Sequence, residues 1–65
     1  MKSYLSKEII KILNKDEWYH VNTVGDHHHF KHPTKAGKVT VTHPKKDVPI
    51  KTALSIFNQA GIKIN

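Results

Sequence analysis

With 65 residues, the chain is long enough for one domain spanning residues 1–65 and a thin core. Domains of this size bury only about 60% of the surface their unfolded chain exposes, which argues against an enclosed substrate cavity and for an open site. The absence of cysteine excludes disulfide staples and the usual Cys-based zinc sites. The formal charge is +6, and all eleven basic residues are lysine. Lysine is a point charge suited to phosphate backbones, whereas the arginine fork suits base reading, so the balance fits either a backbone binder or a solvated surface. No stretch approaches the roughly 18 apolar residues of a membrane span, and no signal-peptide pattern opens the chain. The expectation is a soluble cytoplasmic protein.

The segment SYLSKEIIKILNKDE places Leu5, Ile9, Ile12 and Leu13 on one helical face, with Lys7, Lys11 and Lys15 toward water. Ser3 or Ser6 is the expected cap. WYHVNTV is rich in aromatic and β-branched residues and reads as a strand. Gly25-Asp26 is a two-residue hairpin signal, and HHHFKH, from His27 to His32, is the returning strand. PTKAG forms the next turn, and KVTVTH alternates Val39, Val41 and His43 against Thr40 and Thr42. PKKDVP reads as a loop. In IKTALSIFNQAG, Ile50, Leu54 and Phe57 fall at helical spacing, with Ala53 and Ala60 beside them and Gly61 as the stop signal.

The predicted class is α+β, with two helices on one face of a three-stranded antiparallel sheet. The order α-β-β-β-α is that of double-stranded-RNA-binding domains, which read A-form shape through backbone and 2′-hydroxyl contacts. Fold analogy alone does not assign function.

The run His27-His28-His29 admits several readings. An expression tag normally lies at a terminus, whereas this run is internal and follows a turn. A zinc site needs three or four converging ligands; His43 or Asp26 would have to join His27 and His29, and no standard ligand spacing is present. On a strand, His27 and His29 share a face about 7 Å apart and His28 takes the other, so plain strand residues are the simplest reading of His28 and His29. A fourth reading is catalysis on RNA. There the 2′-OH is a built-in nucleophile, an imidazole moves its proton or protonates the leaving oxygen, and lysines stabilise the phosphate charge. That chemistry requires neither a cofactor nor a deep pocket.

The ordered set Gly25, His27, Phe30, His32-Pro33, His43-Pro44, Lys46-Asp47, Pro49 and Gln59-Ala60-Gly61 resembles the HicA (YcfA-like) toxins of toxin–antitoxin pairs. The likeness runs from about Ser3 to Ile62. It implies a metal-independent mRNA interferase on a double-stranded-RNA-binding-like fold, inhibited by a HicB-like antitoxin. The family's catalytic histidine follows Gly-Ser, so that role carries over to His27, as general base or general acid. The chain departs from the pattern twice: Asp26 stands at the usual Ser, and Glu17 at the usual Gly of Asp-Gly-Trp. The second change falls on a position where a positive-φ turn is expected. Expected phosphate contacts are Lys31, Lys35 and Lys38, extended by Lys45 and Lys46. The alternative is a non-catalytic RNA-binding module, or a degenerate toxin acting mainly through its antitoxin, and Asp26 is the residue that favours it.

Overall fold

A computed structural model of the chain describes residues 3–63, so the first two and last two residues of the expected 1–65 domain lie outside the described residues. In chain order the elements are β1 (Ser3–Tyr4), α1 (Ser6–Lys15), β2 (Tyr19–Val24), β3 (His27–Lys31), β4 (Val39–Thr42), β5 (Val48–Pro49) and α2 (Ile50–Gln59). Strands β2, β3 and β4 form an antiparallel meander, and the two helices cover one face of it. The fold is α+β and double-stranded-RNA-binding-like, as its sequence predicts.

The sheet has two chemically distinct faces because its strands alternate. Phe30 pairs with Val39 and His28 with Val41, so these four side chains point toward the helices. Phe30, Val39 and Val41 are buried there with Ile9, Leu13, Ala53, Ile56 and Phe57. On the opposite face lie His27, His29 and Lys31 of β3, flanked by Thr42 and Thr40 of β4 and by Val24, Asn22 and Tyr19 of β2. An irregularity between His20 and Asn22 inserts Val21 and keeps both ends of β2 in register. Gly25, at φ 61°, is the first of two residues between the strands, where a Gly-X hairpin turn takes a positive φ.

Four expectations are corrected. The helical reading of the segment from Ser3 holds only from Ser6, because Ser3–Tyr4 is extended and pairs with Val48–Pro49. Part of the 44–49 segment read as loop is therefore strand. Neither serine caps the helix: the Leu5 N–H donates to Glu8 Oε1 at 3.0 Å, the half of a capping box that needs no hydroxyl. Ser6, 2% exposed, instead joins α1 to the end of the sheet. Its Oγ accepts the Lys45 N–H at 2.8 Å and lies 2.6 Å from His43 Nδ1.

The fourth correction concerns α2. Leu54 was expected on the core face but is 45% exposed; the buried stripe is Ala53, Ile56, Phe57 and Ala60. The two alanines let the helix backbone approach the core closely, and the Trp18 Nε1–H donates to the Ala60 carbonyl at 3.2 Å. That close approach turns Leu54 out to solvent.

Both helices end in the same hydrogen-bonded motif. At α1, the Glu17 N–H reaches Asn14 O at 3.0 Å and the Trp18 N–H reaches Leu13 O at 2.9 Å. At α2, the Gly61 N–H reaches Asn58 O at 3.1 Å and the Ile62 N–H reaches Phe57 O at 2.9 Å. This Schellman arrangement needs a left-handed residue, supplied by Gly61 at φ 67° and by Glu17 at φ 76°. A left-handed L-residue costs roughly 1–2 kcal/mol, of which glycine's larger unfolded-state entropy offsets a part. Glu17→Gly should therefore stabilise the fold by about 1 kcal/mol, raising Tm by roughly 4–8 °C in a calorimetric scan. An unchanged or lower Tm would show that the turn is not strained.

Candidate functional site

His27 opens β3, and its side chain is 58% exposed. Its Nε2 lies 3.4 Å from Asp26 Oδ1, a carboxylate that is itself 61% exposed. Such a solvated pair adds little stability, but it sets a carboxylate beside the ring. The hairpin tip is fixed from behind, where the His43 N–H donates to Asp26 O at 2.8 Å.

His29 shares the open face with His27 but not its surroundings. It is half-buried, and its Nδ1 lies 2.8 Å from Thr40 Oγ1 on the neighbouring strand. Burial pushes its pKa below the ordinary 6.5, and Lys38, His27, His20 and His28 add to the effect. The sign is that of a base kept neutral: charging the ring costs desolvation and adds a positive charge among positive neighbours.

His28 points the other way, into a row of rings on the helix side. Its centroid lies 5.3 Å from that of His20 and 5.2 Å from that of His43. Thr23 Oγ1 bridges His20 Nε2 at 2.6 Å and His28 Nδ1 at 3.3 Å. His43 is oriented by Ser6, whose Oγ accepts the Lys45 N–H and also hydrogen-bonds His43 Nδ1.

His32 has left the strand in which the sequence placed it. Its Nδ1 accepts the Thr34 and Lys35 N–H groups at 3.1 and 3.0 Å, so Nε2 carries the hydrogen and donates to Asp16 O at 2.6 Å. The ring also meets Trp18 edge-on at 5.1 Å. His32 is thus a structural bracket between the end of α1 and the loop after β3.

The lysines divide into three groups. Lys31 stands on the open face, and Lys38 is the charged neighbour of His29. Lys45 and Lys46 line a groove with Leu5, Ser6, Lys7, His43 and Pro44, at the start of α1. Lys35 is committed elsewhere: its Nζ donates to Asp16 Oδ2 at 2.6 Å, Ala60 O at 3.0 Å and Gly61 O at 3.3 Å. That hydrogen bond is the largest cause of the lowered Asp16 pKa. Lys35 also places a cation on the carbonyls just after the C-terminus of α2, which the helix dipole favours.

The zinc reading does not find its geometry. His43 lies on the helix side, away from the face that carries His27 and His29, and among the described residues no three His, Asp or Glu side chains converge. Nor does a cavity enclose His27. The groove near Lys45 and a second one between β4 and α2 hold about 310 and 300 Å³, and neither is lined by the hairpin tip. The candidate site is an open sheet face, as the chain length suggests.

Sequence reading missed the Ser6–His43 and Asp16–His32–Lys35 clusters, whose members lie far apart in the chain. It also left out Tyr19, Asn22, Thr40 and Thr42, which share the face with His27; the period-two pattern of β2 and β4 carries that signal.

The fold and this surface define a small, lysine-rich α+β domain with a double-stranded-RNA-binding-like fold. The family model described as HicA toxin of bacterial toxin-antitoxin matches residues 6–62, and the chain belongs to this family. No curated protein matches it. Membership of a toxin–antitoxin family brings with it an antitoxin partner. No helix among the described residues is long and apolar enough to cross a membrane.

Proposed function

We propose that the chain is the toxin of a type II toxin–antitoxin pair, an endoribonuclease that cleaves mRNA in the cytoplasm without a metal. His27 is the catalytic residue. It moves a proton at the 2′-OH or at the leaving 5′-oxygen, and the products are a 2′,3′-cyclic phosphate and a 5′-OH. The observation that carries this reading is the position of His27: an accessible imidazole at the start of the central strand, on an uncovered face that carries Lys31 at the far end of the same strand and Lys38 near His29. Such a face admits a single RNA strand without a pocket. Lys31 and Lys38 are the nearest charges for its phosphates. Lys45 and Lys46 extend the track past the hairpin tip, while Lys35 contributes through the fold that supports it.

A HicB-like antitoxin is the proposed inhibitor, covering the His27 surface. A partner with an acidic face suits the +6 charge and associates quickly.

Growth after induction tests the reading. Wild type should arrest growth, His27→Ala at matched expression should not, and co-expression of the HicB-like protein should restore growth to the wild type. On purified protein in chelator, His27→Ala should slow RNA cleavage by roughly 10²–10⁴-fold. Equal toxicity of the two proteins overturns the assignment, and RNA binding without cleavage would favour a non-catalytic module.

A further inference from the structure

We propose that His29 is a second catalytic residue, and that His27 and His29 act together as a general acid and base on one phosphodiester. The inference rests on the ribonuclease reading and goes beyond it, because that reading uses His27 alone.

Strand geometry supplies the first argument. His27 and His29 are two residues apart on β3, so their side chains rise from the same open face about 7 Å apart. A phosphodiester with a nitrogen at roughly 2.6–3.2 Å from each reacting oxygen fits that span. Strand β3 is the middle of the meander, laddered to β2 and β4, so both side chains stand on a strand that is hydrogen-bonded along both edges. The His29 ring is further oriented by Thr40 Oγ1 at 2.8 Å from Nδ1, which leaves Nε2 as the nitrogen available to substrate.

Their surroundings differ in the way an acid–base pair requires. His27 stands in water with a carboxylate at 3.4 Å. His29 is half-buried and shares its face with His27; the charges that act on it are Lys38 from the β3–β4 loop, His27, and, from the other side of the sheet, His20 and His28. No carboxylate is among the groups acting on it, and burial and these charges together lower its pKa, which favours the neutral ring. Two titratable groups in unlike environments beside one reacting centre divide into base and acid.

The step balances as follows. The neutral His29 imidazole takes the 2′-OH proton as O2′ forms its bond to phosphorus. The P–O5′ bond breaks, and O5′ takes a proton from the His27 imidazolium. The products are a 2′,3′-cyclic phosphate and a 5′-OH. His29 is left protonated and His27 neutral, and exchange with water restores both.

The test measures cleavage of a mixed-sequence single-stranded RNA in chelator across pH 5–9 by the full chain and three variants. Wild type should give a bell-shaped profile with an acid limb below the ordinary imidazole value of 6.5. His29→Asn can keep the hydrogen bond to Thr40 but cannot titrate. It should lose about 10²–10⁴-fold in rate and the acid limb, with its melting temperature unchanged. Thr40→Val should slow cleavage several-fold and retain both limbs. Wild-type rate and profile in His29→Asn, with His27→Ala inactive, overturns the pair and leaves His27 acting alone. Wild-type cleavage by His27→Ala overturns the role of His27 and with it the pair, and no cleavage by the wild type overturns the ribonuclease reading itself.

Discussion

Trp18→Ala should leave the chain largely unfolded at physiological temperature. The indole is 1% exposed and is the largest side chain in the core. Truncating a buried tryptophan costs about 3–5 kcal/mol through lost transfer energy and an unfilled cavity. A domain of this length has a total stability of roughly 3–10 kcal/mol, so the loss takes a large share of it. Two further contacts go with the ring: the hydrogen bond to Ala60 O, which ties the β2 side of the fold to the end of α2, and the edge contact with His32. Urea titration followed by far-ultraviolet circular dichroism checks this, since the variant has no tryptophan to report by fluorescence. Trp18→Phe separates the contributions: it retains much of the apolar volume and loses the N–H, so it should fall between wild type and alanine. An alanine variant melting within a few degrees of wild type would mean that the core closes over the gap.

The features legible in the sequence are those with a local physical signature. Val39 and Val41 against Thr40 and Thr42 gave the strand and both of its faces, because period two has one structural meaning. Gly25-Asp26 marked a hairpin, and the same alternation placed His27 and His29 together with His28 opposite. The departure from glycine at position 17 fell on a left-handed residue, as expected for that turn. Features decided by distant partners were not legible. Strands β1 and β5 are two residues each, too short for periodicity, and exist only because they meet. Leu54 and Ala53 are consecutive and about 100° apart around the helix, and the choice between their two faces rests on how closely α2 approaches Trp18. The difference between His27 and His29 is one of desolvation and charge, which a run of three identical letters conceals. His32 was read as the end of a strand, since nothing near it in the chain points to Asp16.

His32 has the second large expected effect, and it bears on how any histidine scan of this toxin is read. His32→Phe keeps an aromatic edge against Trp18 but has no ring nitrogen. The Thr34 and Lys35 N–H groups and the Asp16 carbonyl all lose their partner, and with it the bracket between the loop and α1. At about 1 kcal/mol for each partly exposed group, the variant should be roughly 2–4 kcal/mol less stable. In cells, a loss of that size lowers abundance several-fold, and toxicity falls with it. His27→Phe, at an exposed position, should change stability by less than about 0.5 kcal/mol. Loss of toxicity at either position therefore looks alike until protein is quantified. His32→Phe should show low soluble protein and a depressed melting temperature, with a rate per folded molecule near that of wild type. His27→Phe should show normal amounts of folded protein and no cleavage. Normal abundance with no cleavage in His32→Phe would place its ring in the chemistry and not in the fold.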